Sequence, residues 1–236
     1  MGGAQMITVV GNLKGGSGKS TVTFNLALWL VYHGAEVVAF DLDPQATLSD
    51  VGEVRREEGF EPPIHIYRAE NDPAAIMHRH DGEVLVDVGA SNLWAMRQAI
   101  NMADRILIPV TPSQADIWST QRFLNIIAEA LKGDHRPQIQ TFLNRSDTHI
   151  SVRESNEAEE ALESLPGVAV LRTRLAQRMM FRRSFSEGLA VFELEPSGKA
   201  AWEFNRLASF LYPDHAKKAD ARASRRGAQR EQPLER

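Results

Sequence analysis

Short runs of β-branched and aliphatic residues alternate along the chain with longer segments whose apolar positions recur every three or four residues. Met6–Val10, Glu36–Phe40, Ile64–Arg68, Glu83–Val86, Ile106–Val110, Gln138–Leu143 and Val168–Leu171 read as strands. Gly18–His33, Ser113–Lys132, Arg153–Leu165, Gln177–Glu187 and Ser197–Leu211 read as helices. Several of the strands are almost continuously apolar, which suits a parallel sheet covered on both faces. The alternation predicts an α/β fold, a doubly wound and mostly parallel sheet flanked by helices. No internal repeat or low-complexity linker breaks the pattern before residue 213, so residues 1–213 are expected to form one domain.

Composition narrows the chemistry. None of the 236 residues is cysteine, which excludes disulfides, thiolate zinc sites, iron–sulfur clusters and cysteine nucleophiles. No apolar run approaches the ~20 residues of a membrane helix. The opening Met-Gly-Gly-Ala-Gln-Met has neither the charged nor the apolar region of a secretory signal. The expectation is a cytoplasmic protein without a membrane partner. The net charge of -4 is unevenly spread, since residues 214–236 hold seven basic side chains against four acidic ones. With Leu234 as its one large aliphatic residue, this stretch is expected to be a disordered basic tail. It is either an idle solvated terminus or an arm that draws nucleic acid or acidic lipid.

The segment richest in chemistry is Gly11-Asn12-Leu13-Lys14-Gly15-Gly16-Ser17-Gly18-Lys19-Ser20-Thr21. It follows a predicted strand and opens a predicted helix. Glycines at 15, 16 and 18 let the backbone approach a polyphosphate and turn its N–H groups inward. The helix N-terminus adds partial positive charge. Lys19 offers a point charge to the β- and γ-phosphates, and the Ser20 hydroxyl is a ligand for Mg²⁺. ATP and Mg²⁺ are the implied cofactors.

One position departs from the usual phosphate loop. Leu13 stands where a glycine is ordinarily found, and an extra lysine, Lys14, follows it. The run Lys14-Gly-Gly-Ser-Gly-Lys19-Ser20-Thr21 resembles the deviant Walker A motif of the ParA/MinD family of dimerising ATPases. The resemblance implies that Lys14 reaches across a two-fold interface to the partner's nucleotide, so that ATP controls dimerisation.

The same resemblance gives roles to further segments. Asp41-Leu42-Asp43-Pro44-Gln45 closes the second strand, and in the family the second aspartate, here Asp43, positions the attacking water; read alone, the stretch is also a common turn sequence. Asp87, at the end of the apolar run Glu83–Val88, looks like the Walker B residue that holds a Mg²⁺-bound water, with Gly89 as a mobile turn beyond it. Asn144-Arg145 ends the sixth strand and resembles the family element whose asparagine hydrogen-bonds adenine. Arg178, Arg182 and Arg183 fall in the region that forms a nonspecific DNA surface in the family. The competing reading pairs these arginines with the glutamate-rich helix Arg153–Leu165.

The resemblance spans about residues 5–212 and is strongest to small, ParF-like partition ATPases without an N-terminal DNA-binding extension. It implies a slow, partner-stimulated ATPase that forms a homodimer with ATP and binds nonspecific DNA. A centromere-binding or cargo adaptor protein would trigger hydrolysis, and the ATP-bound form would associate with the nucleoid. Two other readings stand beside it. One is a cargo-positioning or DNA-transfer ATPase of the same family. The other is a small-molecule ATP-dependent ligase of the same fold, which need not use Lys14 between subunits.

Overall fold

A computed structural model of the chain describes residues 5–68, 74, 77, 79–149, 153–219 and 221. Seven strands form one sheet: β1 (Met6–Gly11), β2 (Val37–Asp41), β3 (His65–Arg68), β4 (Glu83–Val88), β5 (Arg105–Val110), β6 (Gln138–Ser146) and β7 (Ala169–Ala176). Their order is β3-β2-β4-β1-β5-β6-β7, and every pairing is parallel. The helices are α1 (Lys19–Tyr32), α2 (Thr47–Glu57), α3 (Leu93–Met102), α4 (Gln114–Ala130), α5 (Arg153–Glu163), α6 (Met179–Ser186), α7 (Val191–Leu194) and α8 (Lys199–Leu211).

Period-2 alternation along the strands divides the apolar residues between two cores. Val10, Ala39, Leu85, Leu107 and Phe142 face α1, α2 and α8, where Phe24, Trp29, Leu48 and Phe204 are buried. Val9, Phe40, Val86, Ile106 and Ile108 face α3, α4 and α5, where Met96, Ile100, Phe123, Ile127 and Leu162 are buried. The expected doubly wound fold is therefore present. The strand order places β4 between β2 and β1, so the C-terminal ends of β1, β2 and β4 meet at one edge of the sheet. That edge is where ligands bind in folds of this class.

Helices α2 and α3 were not predicted by the pattern. α3 is capped by Asn92, whose Oδ1 accepts from Ala95 N at 3.1 Å, and it buries Ala95, Met96, Ala99 and Ile100. α2 lies close on β3, where a side chain at Gly52 would overlap Ile66.

The C-terminal boundary also differs from the expectation. The segment from 213 to 219 is helical. Ala216 packs on the first core, and His215 Nε2 lies 3.0 Å from Glu83 Oε1. Just before it, Tyr212 is buried, with its hydroxyl 3.0 Å from Thr8 Oγ1 and the Arg105 guanidinium 4.8 Å above its ring. Burial pushes the Tyr212 phenol up to about 12. The start of the predicted tail therefore does have something to bury. Its remainder, from 222 onward, lies outside the described residues.

Candidate functional site

The loop between β1 and α1 is tied down from three sides. Asn12 Nδ2 donates to Pro109 O at 2.9 Å, while its Oδ1 accepts from Lys14 N (3.1 Å) and from Ser119 Oγ of α4 (3.2 Å). Ser17 is buried, and its carbonyl accepts from Asn144 Nδ2 at 2.7 Å. Gly18 has φ 90°, a conformation that disfavours a side chain, and a methyl there would overlap the Asn144 amide. Gly18 is also the N-cap of α1, and no side chain caps that end. The first N–H groups of α1 are thereby left for a ligand, the arrangement that binds anions at helix N-termini.

Lys19 is only 8 % exposed, and its ammonium folds back to Lys14 O at 3.4 Å. With Gly15, Gly16, Gly18, Ser20, Thr21, Asp43, Gln45 and Arg145 it lines a cavity of about 380 Å³. A second cavity, about 340 Å³, adjoins it through Gly18, Thr21 and Arg145 and is walled by Val22, Leu175, Gln177, Phe181 and Phe204. One end of this trough is glycine-rich and cationic, and the other mixes apolar side chains with Asn144, Gln177, Arg178 and Arg182. The two suit the phosphates and the base of a nucleotide. Arg145 stands between them with φ 56°, an uncommon conformation for a residue with a side chain.

Three carboxylates converge beside the phosphate end. Asp41 and Asp87 are register partners on β2 and β4. Asp41 is saturated, with Oδ2 accepting from Ser49 N (2.7 Å) and Oδ1 from Asp43 N (3.2 Å), and burial still raises its pKa. Asp87 is fully buried, and neither carboxylate oxygen has a hydrogen-bond partner. Burial drives its pKa to about 7, Asp41 and Asp43 push in the same direction, and the Ser20 hydroxyl and Lys19 oppose them. An orphaned buried carboxylate next to a hydroxyl is a fitting donor set for a hard divalent cation. Ser20 and Asp87 would hold Mg²⁺, directly or through water.

Asp43 is held differently. Its Oδ1 accepts from Gln45 N at 3.0 Å and from Ser91 Oγ at 3.5 Å. The carboxylate lies against Gly89 so closely that a methyl there would overlap it. The loop after β2 and the loop after β4 thus touch where the Asp43 carboxylate meets Gly89 and Ser91.

The raised pKa of Asp87 has a measurable consequence. Between about pH 4 and pH 7 the folded subunit retains a proton that the unfolded chain has lost, so the folded state binds more protons and stability falls as pH rises. This group alone contributes on the order of 4 kcal/mol across that range, and Asp41 and Glu83, also raised by burial, add in the same direction. Denaturant unfolding of the nucleotide-free protein is expected to show lower stability at pH 8 than at pH 5, with most of the difference lost in Asp87→Asn. A slope unchanged by Asp87→Asn would remove Asp87 as its source.

The remaining predicted residues occupy distinct positions. Both polar atoms of Asn144 are bonded within the chain, Nδ2 to Ser17 O and Oδ1 to Arg145 N (3.0 Å), so the side chain braces the phosphate loop. Arg178 and Arg182 line the second cavity, the end of the trough beyond Arg145. Arg178 is paired with Glu203 of α8 at 2.5 Å, and Arg183 with Glu187 at 2.9 Å. The alternative pairing with helix α5 is made by Arg174, to Glu159, and not by Arg178. Lys14 does not line the phosphate cavity. Its ammonium lies 2.5 Å from Asp116 Oδ2 of α4. Sequence reasoning missed Asp116 and Asn12 as parts of the site, because their partners are distant in the chain or on the backbone.

The nucleotide-binding domain family described as CobQ/CobB/MinD/ParA matches residues 8–191. The maintenance of carboxysome distribution protein A of Halothiobacillus neapolitanus is 32 % identical over 211 residues, covering 86 % of this chain and 95 % of that protein. Among solved structures, the MinD cell division protein of Aquifex aeolicus superposes with a TM-score of 0.69 at 18 % identity, over 87 % of this chain and 96 % of that one. An ATP complex of Cyanothece McdA gives 0.62 at 17 % identity, over 88 % and 96 %. The fold is therefore that of ParA/MinD-type P-loop proteins, and the chain belongs to the CobQ/CobB/MinD/ParA family of nucleotide-binding domains.

Proposed function

We propose that the protein is an ATPase of the partition and positioning kind. It forms a homodimer when it holds ATP and Mg²⁺, binds DNA without sequence preference, and releases both after hydrolysis stimulated by an adaptor on its cargo. The observation that carries this reading is the division of labour between two lysines on one loop. Lys19 is buried in the phosphate cavity, whereas Lys14 stands outside it with its side chain 43 % exposed. A cation so placed serves little purpose for the subunit's own phosphates and is available to a facing copy. The bound Mg²⁺ supplies charge neutralisation of the β- and γ-phosphates. Ser20 and Asp87 hold the metal site, Lys19 and the α1 N-terminus hold the phosphates, and Asp43 orients the attacking water.

Among the described residues no histidine lines the two cavities, and catalysis would rest on positioning, which suits slow intrinsic turnover. Arg182 and Arg183, the more exposed of the three predicted arginines, would meet DNA phosphates and hold the ATP form on the nucleoid. Among the described residues no helix is long and apolar enough to cross a membrane. The carboxysome-distribution relative, matched over nearly its whole length, favours a large cargo as much as a plasmid.

The test is sizing chromatography with a slowly hydrolysed ATP analogue. The wild-type chain is expected to run as a dimer, Lys14→Gln as a monomer that still binds the analogue, and only the wild type to be retained on random-sequence DNA. A Lys14→Gln protein that dimerises like wild type, or a wild type that ignores DNA, would refute the reading and favour a small-molecule ligase.

A further inference from the structure

Glu203 of α8 lies beyond residues 8–191, the part of the chain that the family match covers. Both of its carboxylate oxygens are spent on the turn between β7 and α6. Its Oε2 accepts from Ala176 N at 3.1 Å, and its Oε1 accepts from Arg178 Nε at 3.0 Å and from Arg178 Nη2 at 2.5 Å. The Arg178 and Glu203 side chains are 21 % and 12 % exposed, so these charge-assisted bonds form in partly dry surroundings, where they are strong. α8 gives the grip a firm base, because Phe204, Leu207 and Ala208 beside Glu203 are buried.

The turn needs an anchor from outside the sheet. β7 is an edge strand, and its register with β6 shifts between Phe142 and Asn144 and again between Asn144 and Ser146. A strand end with an interrupted ladder must place its backbone donors elsewhere. Gln177 N finds Ser146 O at 2.8 Å, and Ala176 N finds Glu203. The same turn supplies Leu175, Ala176, Gln177, Arg178 and Met179 to the wall of the second cavity. Asn144, whose motif resemblance points to the base, has both polar atoms bonded within the chain, so the set of this wall matters the more for holding a base.

We propose that Glu203 is a positioning residue for nucleoside binding: gripping Ala176 and Arg178, it sets the wall of the second cavity and so governs affinity for the base end of a nucleotide and not for its phosphates. This rests on the reading of the second cavity as the place of the base. Glu203 lines neither cavity, so it acts through the turn alone.

The experiment is calorimetric titration of wild type, Glu203→Ala and Glu203→Gln with ADP and with pyrophosphate, each in Mg²⁺. Neither ligand carries a γ-phosphate, which keeps subunit pairing out of the measurement. Removing a negative charge would, on Coulombic grounds alone, tighten both anions. The proposal predicts the opposite sign for one of them: Glu203→Ala is expected to bind ADP about tenfold more weakly, while its pyrophosphate affinity stays within twofold of wild type or rises. Glu203→Gln keeps an acceptor for Ala176 N but loses the ion pair, so its ADP affinity is expected to fall about threefold, a partial rescue. Should Glu203→Ala prove poorly folded, Glu203→Gln is read in the same two titrations. ADP affinity unchanged or raised by removing the carboxylate overturns the proposal, and so does an equal loss for ADP and pyrophosphate, which would make Glu203 a support of the whole fold. A wild type that binds pyrophosphate as tightly as ADP overturns the base reading beneath it, before any variant is compared.

Discussion

Lys19→Ala is expected to lower ATP affinity by about two to three orders of magnitude without unfolding the subunit. Lys19 is buried at 8 % exposure, and the hydrogen bond of its ammonium to Lys14 O is long at 3.4 Å. A cation held so loosely contributes little to the empty fold and gains much when an anion arrives. Each charge-assisted hydrogen bond to a phosphate is worth roughly 1.5–3 kcal/mol, and a lysine that meets the β- and γ-phosphates makes two. Their loss amounts to about 3–6 kcal/mol, and the stated drop, about 2.7–4.1 kcal/mol, matches its lower part. Two further readouts follow from the neighbours. The melting temperature of the nucleotide-free variant should stay close to wild type, because no well-formed bond is broken. The pKa of Asp87 should rise further, because Lys19 is among the charges that lower it. Titration with a fluorescent ATP analogue settles the main point: affinity within fivefold of wild type would mean that the phosphates lie elsewhere.

How far the sequence foretold these features depends on how local their causes are. β1, the phosphate loop and α1 form one continuous stretch, and the predicted helix Gly18–His33 differs from Lys19–Tyr32 by one residue at each end. β1, β2, β4 and β5 were legible because burial on both faces makes them largely apolar. α2 was not, since Arg55 occupies one of its buried positions at 2 % exposure. That arginine reads as surface until its partners are known: Glu193 at 2.8 Å, Gly188 O and Pro62 O. α6 begins at Met179 rather than Gln177 because β7 extends to Ala176 along an irregular register with β6. The site divides along the same line. Lys19 and Ser20 were candidates from spacing alone, and both line the cavity at the head of α1. The bracing of Ser17 by Asn144, the pairing of Lys14 with Asp116 and the apposition of Asp41 to Asp87 depend on strand order, which brings together residues far apart in sequence.

Asp43→Ala is expected to reduce ATP hydrolysis by about 10²–10⁴, the range for losing a positioned group that handles the nucleophile's proton, while ATP binding stays near wild type. The carboxylate has no role in building the phosphate loop. It accepts from Gln45 N and Ser91 Oγ and rests on Gly89. Its removal opens space at the mouth of the cavity and leaves Lys19, Ser20 and Asp87 in place. Dimers formed with ATP should then persist, and DNA retention with them, because the step that ends the cycle is blocked. Gly89→Ala provides the geometric control. The added methyl overlaps the Asp43 carboxylate, so one of the two must move, and hydrolysis should fall although Asp43 itself is present. If positioning by Gly89 is what aims Asp43, the double variant Asp43→Ala/Gly89→Ala should be no slower than Asp43→Ala alone, the non-additivity expected of residues that act through one contact. Single-turnover hydrolysis of the preformed ATP complex measures all three. An undiminished rate in Asp43→Ala would take Asp43 out of the chemistry. Additive losses in the double variant would instead give Gly89 a separate task, such as the movement of the loop that carries Ser91.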